Sequence, residues 1–297
     1  MIFLSVSEIS KKWNISTRRV RILAEQGRIF GAVKKGTYWK IPYFVKSPDE
    51  QKEIETKLNR IEKLRIILGQ KRPLTVGEVE RLNSEFAIEY TFNTNAIEGN
   101  TLTLQETAWV LEGMTVDKKL LKCHLEAIGH KEAFDYVLEI VKEKKPIDEQ
   151  LIKQIHSMVL ADRPLDKGVY RKTDVRILGA KHTPTSSILI QEQMNKLIEE
   201  NSLLHILNPI VNVSIFHIIF EQIHPFIDGN GRTGRLLINY GLLINDFPAI
   251  DIKFADRQKY YKAFDEFHEG GNIFAMINLI ADAMIERLEQ IIMRISG

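Results

Sequence analysis

The sequence has few of the features that would place a chain in an oxidising or membrane setting. One cysteine, Cys123, is present in 297 residues, which excludes an internal disulfide and fits a reducing compartment. No uncharged apolar run approaches membrane-spanning length, and the amino-terminal M-I-F-L-S-V-S-E-I-S lacks a basic stretch followed by a long apolar one. The expectation is a soluble cytoplasmic protein with no membrane partner. Repeats and low-complexity tracts are also missing. With 44% hydrophobic residues, the chain is able to bury two ordinary domains, or one large one with an appendage.

Charge is unevenly spread. Residues 1 to 46 hold ten basic residues against Glu8 and Glu25, a net +8, whereas the whole chain is +2, so residues 47 to 297 sum to −6. In this basic module Ser7 is a candidate N-cap for a helix from Glu8 to Trp13, and Asn14-Ile15-Ser16 makes a turn. Thr17 to Gln26 then forms a second helix carrying Arg18, Arg19 and Arg21. Ile29 to Ile41 alternates and turns at Lys34-Lys35-Gly36, as a small wing does. The order resembles a winged helix-turn-helix of the excisionase or MerR type. That implies duplex DNA as a partner of residues 1–47, with the second helix in the major groove and Lys34 and Lys35 at phosphates. The other reading is a solvated basic face used for protein docking.

From residue 48 the pattern is helical. Asp49 to Gly69 has Ile54, Leu58, Ile61, Leu64 and Ile67 on one face, and Leu74 to Ile97, Leu104 to Glu112, Asp117 to Lys144 and Asp148 to Leu160 follow. Gly168-Val-Tyr-Arg171 then leads into two β-like segments, Asp174 to Leu178 and Lys181 to Ile190. After these come apolar helices over Val211 to Gln222 and Gly231 to Asp246, a helix from Asp256, and an amphipathic terminal helix over Ile273 to Ile295. That last helix is open to packing on the body or, as a homodimer, on a second subunit.

Chemistry concentrates in I-H-P-F-I-D-G-N-G-R-T-G-R-L-L, residues 223 to 237. Pro225 disfavours the helical region for His224, which therefore ends the preceding helix and presents its imidazole in a turn. Gly229, Asn230 and Gly231 open the next helix, where unpaired N–H groups and small residues make an anion site. Arg232 and Arg235 stand three apart in its first turn, at the end where cations do not stabilise a helix, which points to an anionic ligand. A metal reading is also available, because His217, Glu221 and His224 fall at i, i+4 and i+7. It lacks a further ligand of familiar spacing, and Pro225 turns His224 off that face.

His224, Phe226, Asp228, Gly229, Asn230, Gly231, Arg232 and Arg235 match the H-x-F-x-[DE]-G-N-G-R-x-x-R signature, and the chain resembles Fic domain proteins. The resemblance implies a mainly α, all-helical Fic fold with a β-hairpin flap near 174–190, here preceded by the small winged helix-turn-helix domain. Residues 48–297 then form the Fic body, with a catalytic loop at 224–235. It implies transfer of AMP from ATP to a Ser, Thr or Tyr hydroxyl of a target protein or of the chain itself. His224 acts as general base, Asp228 holds Mg²⁺, and Gly229, Asn230, Gly231, Arg232 and Arg235 receive the phosphates. A phosphate-transferring branch resembles G-N-K-R where this chain has Gly231, which favours AMP.

Thr94, Glu98 and Gly99 match the family's [ST]-x-x-x-E-[GN] inhibitory motif, which implies an inhibitory helix near 85–99 and autoinhibition by Glu98. In some members the same glutamate supports removal of AMP. The other reading of Glu98 is a surface residue before a glycine C-cap. Tyr260 and Tyr261 are candidates for bordering adenine or for the core, and His182 is a flap-positioning residue or a further catalytic one. A DNA-binding transcriptional regulator with a nucleotide-sensing or self-modifying Fic body is the alternative function.

Overall fold

The computed structural model describes residues 3–296 except residues 30, 44, 46, 47, 162, 178, 180 and 204–206. α1 (Val6–Trp13) is started by Ser5 and not by Ser7, since Ser5 and Glu8 have the spacing of a reciprocal capping box. Asn14 takes a left-handed conformation and turns the chain into α2 (Thr17–Glu25), which Ser16 caps. β2 (Val33–Lys35) and β3 (Tyr38–Pro42) pair antiparallel around Gly36, and β1 (Phe3–Leu4) adds to the other edge of β3. Arg18, Arg19, Arg21, Lys34 and Lys35 are all exposed. None of them has an ion-pair partner among the described residues.

This small unit shares its core with the rest of the chain. Ile9, Val20, Leu23, Ala24 and Ile41 belong to one apolar cluster with α3 (Pro48–Gly69), α9 (Pro209–Ile223) and α12 (Phe274–Ser296). Ile54, Leu58 and Ile61 of α3 lie in that cluster with Ile277, Ile280, Met284 and Leu288 of α12. Lys57–Asp282 (2.8 Å) and Arg60–Glu289 (2.5 Å) bridge the two helices. The apolar face of α12 is thus used within its own chain.

α9 is apolar and buried nearly all round, as a central helix must be. Ile210, Val211, Ile215 and Ile218 face the cluster just described. Phe216, Phe220 and Ile223 face a second one, built with α4 (Val76–Ile97), α6 (Leu121–Ile140), α7 (Glu149–Val159), α8 (Ile190–Leu203) and α10 (Asn230–Leu243). α5 (Leu104–Leu111) and α11 (Arg257–Gly270) complete the body. α6 is shorter than the span expected from sequence. It begins after Leu120, downstream of a left-handed Lys118, and closes in a single 3₁₀ turn at Val141–Glu143. No helix among the described residues is long and apolar enough to cross a membrane.

The segment expected as a flap hairpin leaves the body at Thr173 and returns at Thr185. Among the described residues it carries no backbone ladder, and every strand lies within residues 3–42. Leu178, in its first arm, falls outside the described residues. The second arm is not a strand as far as Ile190. Asp174 Oδ1 accepts the Ser187 N–H (2.6 Å), and Ser187–Leu189 forms a 3₁₀ turn that runs into α8.

Candidate active site

α9 stops at Ile223 because His224 is left-handed (φ 51°, ψ 61°), with Pro225 following. A non-glycine residue is uncommon there, and the surroundings hold it. Arg171, 5% exposed, donates from Nε to the His224 carbonyl (2.8 Å) and from its terminal nitrogens to the carbonyls of Ile223, Thr173 and Thr185. One guanidinium therefore satisfies the open end of α9 and ties the chain at Thr173 and Thr185 to the turn at His224. Burial lowers its pKa despite the neighbouring Asp174. Arg171→Ala leaves these acceptors unpaired, and we expect a loss of about 2–4 kcal/mol in urea unfolding, with Arg171→Lys recovering only part of it.

The next turn is fixed as closely. Asn230 accepts the Phe226 N–H and donates to the Phe226 carbonyl, each at 2.9 Å, so its side chain closes the loop and is not directed at a ligand. His156 stacks on Phe226 at 3.6 Å, accepts the Gly168 N–H through Nδ1, and donates from Nε2 to the Asp228 carbonyl (2.9 Å). Gly229 (φ +75°) caps α10 without a side chain, which leaves the first N–H groups of α10 for an outside acceptor.

The Glu98 carboxylate lies against this helix start. A Cβ added at Gly231 would lie 2.2 Å from Glu98 Oε1, so the carboxylate rests directly on the glycine. Glu98 Oε1 also accepts from Arg235 (2.7 Å). Arg235 is 2% exposed and donates further to Thr94 Oγ1 (2.5 Å), the Thr94 carbonyl (3.0 Å) and the Tyr260 hydroxyl (3.2 Å). Glu98 is also the C-cap of α4, with a left-handed Gly99 behind it. Asn93, one turn earlier, moors α4 by donating to Asp251 (2.6 Å) and accepting the Phe254 N–H (3.0 Å).

The two arginines expected to share a ligand diverge. Arg235 points to α4, whereas Arg232, equally buried, lies 3.3 Å from Glu126 on α6 and 3.5 Å from Asp228. Asp228 is additionally 3.1 Å from Arg163 and accepts the Gly229 N–H. A cavity of about 400 Å³ opens over this turn, within the range of small-molecule sites, and is lined by Glu98, His182, Glu221, His224, Gly231, Arg235, Tyr261, Phe264 and Asp265 among others. Tyr261 is partly exposed at its edge, with its hydroxyl donating to the Ile97 carbonyl (2.9 Å). Tyr260 is buried between His217 Nε2 (2.8 Å) and Arg235, a supporting role. His182 stacks on His268 at 3.6 Å, where burial and the nearby His224 lower its pKa. His217 spends Nε2 on Tyr260, which does not suit the metal reading.

The Fic/DOC family model matches residues 146–242, the span of α7 to α10 that includes the turn at 224–235. Residues 146–242 are similar to a Fic domain. The protein adenylyltransferase Fic of Nematostella vectensis is 36% identical over 199 residues, which is 65% of this chain and 46% of the relative. The chain thus spans about half the length of that curated relative. Among solved structures, a Fic domain containing signaling protein from Bacteroides thetaiotaomicron superposes with a TM-score of 0.73 at 25% identity, covering 82% of this chain and 97% of that one. Fic-1 from C. elegans, residues 134–508, gives 0.68 at 26%, covering 81% and 70%. The fold is therefore mainly helical, as expected.

Three buried imidazoles and one half-buried make the domain sensitive to acid. Burial lowers His156, His217 and His268 to about 4 and His130 well below its ordinary value. The unfolded chain protonates them near 6.5, so it binds more protons than the folded one, and stability falls as pH drops from about 6.5 to about 4. Asp251 acts oppositely. Burial raises it to about 6 against Lys253 and Asn93, so its contribution grows as pH falls towards its unfolded value. With His182, five imidazoles against one carboxyl predict a net fall in urea midpoint between pH 7 and 5.

Proposed function

We propose that this chain is a protein adenylyltransferase that moves AMP from ATP to a side-chain hydroxyl of a protein and is held inactive by Glu98. The observation that carries this reading is the Glu98 carboxylate seated on Gly231 and paired with Arg235, an internal anion where a nucleotide's phosphates belong. The curated relative's name supports the chemistry. His224 Nε2 takes the proton of the target hydroxyl, whose oxygen attacks the α-phosphorus as pyrophosphate leaves. Arg235 and the backbone N–H groups of Gly229 to Gly231 bind phosphate oxygens and stabilise the charge that develops. Arg232 and the Asn230 side chain act one layer back, on Asp228 and on the loop. Tyr261 borders the adenine.

Mg²⁺ fits the residues present. It takes one or two carboxylates together with phosphate oxygens, and Asp228 offers a partly exposed carboxylate beside the phosphate turn. Bound there, it supplies positive charge to the phosphates. Arg163 and Arg232 already lie close to Asp228 and orient that carboxylate.

The reading is tested by incubating the Glu98→Gly protein and cell extract with ATP labelled at either the α- or the γ-phosphate. Protein bands should carry the α label and not the γ label. Label from the γ position, or none from either, would overturn it. The alternative of a nucleotide-sensing regulator predicts that no band is labelled.

The second element of this reading is duplex DNA binding by residues 1–47, supported by the exposure of Arg18, Arg19, Arg21, Lys34 and Lys35 without ion-pair partners among the described residues. Replacing Arg18, Arg19 and Arg21 together by Ala should abolish retention of duplex DNA at low salt and leave the urea midpoint nearly unchanged. Unaltered retention would assign the face to protein docking.

A further inference from the structure

Behind the catalytic imidazole lies a carboxylate that the mechanism above does not use. Glu221 stands three residues before His224 on the last turn of α9, with its Oε2 3.7 Å from His224 Nδ1. His224 Nδ1 is buried without a hydrogen-bond partner, as are Glu221 Oε1 and, on the carboxylate's other side, His217 Nδ1. A buried imidazole nitrogen left unpaired is costly, and the carboxylate oxygen nearest to His224 Nδ1 is Glu221 Oε2. The separation is longer than a hydrogen bond, as base–orienter contacts often are before substrate binds.

α10 is shaped to admit this carboxylate. A Cβ at Gly234 would meet Glu221 Oε1 at 2.6 Å and His217 Cε1 and Nδ1 at 2.8 Å. Gly234 is helical with no left-handed backbone to explain it, so space is its reason. Burial pushes the Glu221 carboxyl up, but His224, His217 and Arg235 outweigh this and hold it below its usual value. Other titratable groups facing the same cavity are Glu98 at the end of α4, His182, Arg235 on α10, and Tyr260, Tyr261 and Asp265 on α11. His217, the other imidazole beside Glu221, has its Nε2 occupied by Tyr260.

We infer that Glu221 is the positioning carboxylate of His224, receiving Nδ1–H so that the Nε2 lone pair faces the cavity. When Nε2 takes the hydroxyl proton, the imidazolium is held against a carboxylate that itself stays ionised. The hydroxyl oxygen bonds to the α-phosphorus, the bond to the leaving pyrophosphate breaks, and Glu221 gains and loses nothing. The inference rests on adenylyl transfer for its purpose, but the pairing can be read without it.

The test has two arms. In ¹⁵N-histidine NMR, with His224→Ala assigning the resonance, neutral His224 in the wild-type chain should be the Nδ1–H tautomer, and Glu221→Gln should reduce that fraction. In the Glu98→Gly background, Glu221→Gln should lower kcat for self-modification at least about tenfold, on the scale of a carboxylate that orients a catalytic imidazole. KM for ATP should hold, and the acid limb of the rate profile should move to lower pH, because the imidazolium has lost its counter-charge. Gly234→Ala, which displaces Glu221, should shift the limb the same way. An Nε2–H tautomer in wild type, or a loss of kcat with the limb unmoved, would overturn the inference. If Glu98→Gly transfers nothing while the tautomer still depends on Glu221, adenylyl transfer fails and the pairing stands.

Discussion

Glu98→Gly should raise the rate of AMP transfer by about 10²-fold while changing ATP affinity far less. The geometry sets this asymmetry. The Glu98 carboxylate rests on Gly231 and engages Arg235, so it removes one phosphate-binding guanidinium and blocks the backbone at the start of α10. On the proposed function a nucleotide would still enter the cavity beside Tyr261 with its α-phosphorus turned from in-line attack, and misplacement of about 1 Å costs on that order in rate. Removing the carboxylate restores the alignment. Arg235→Ala should not activate, although it also breaks the pair, because it deletes the phosphate contact and the four-way link to Thr94, Glu98 and Tyr260. Steady-state kinetics of self-modification, with ATP binding followed by calorimetry, separates the two. Equal rates in wild type and Glu98→Gly would reduce Glu98 to a helix cap.

His224→Ala in the Glu98→Gly background should lower transfer by roughly 10²–10⁴-fold, the usual range for a general base, and leave ATP binding largely intact. The imidazole makes none of the contacts that shape the phosphate turn. Arg171 reaches the backbone carbonyl of residue 224, which alanine retains. The left-handed backbone there disfavours alanine somewhat, so a small loss in urea midpoint should accompany the loss of rate. Asp228→Ala should differ, weakening Mg²⁺-dependent nucleotide binding before it affects the chemical step. Undiminished transfer in a folded His224→Ala preparation would remove His224 from the mechanism.

How much of this was legible in the sequence depended on range. The turn from His224 to Arg235 could be read because its logic is local: proline ends one helix, and glycine opens the next. The inhibitory motif was visible as residue types, but its contact with Arg235 spans 137 positions, and no spacing encodes that. Arg232 and Arg235 were expected on one ligand because they are three apart. Three steps on a 3.6-residue helix leave an offset of about 60°, enough to send one to α6 and the other to α4. Asn230 looked like a phosphate ligand, and only the fold reveals that Phe226 consumes both its donor and its acceptor.

Arg171 and His156 were missed. Each acts on backbone groups of the catalytic turn from 53 and 72 residues away, and a side chain that serves distant carbonyls leaves no local pattern. The G-V-Y-R run before the flap was the available signal for Arg171. α8 was hidden by the β-like reading that ran to Ile190, because the residue that starts the helical turn, Asp174, lies thirteen positions upstream. Glu221 was noticed in the sequence as a metal candidate, and its spacing to His224 was the right observation with a different meaning.

The central claim is that one carboxylate, Glu98, stands between a complete catalytic turn and its reaction. Intact-mass spectrometry of wild type, Glu98→Gly, and Glu98→Gly with His224→Ala, each incubated with ATP and Mg²⁺ and sampled over time, tests it most directly. The account predicts that Glu98→Gly gains the mass of AMP while wild type and the double variant remain essentially unmodified. Equal AMP gain in wild type and Glu98→Gly would contradict the lock, and equal gain in the double variant would contradict the base.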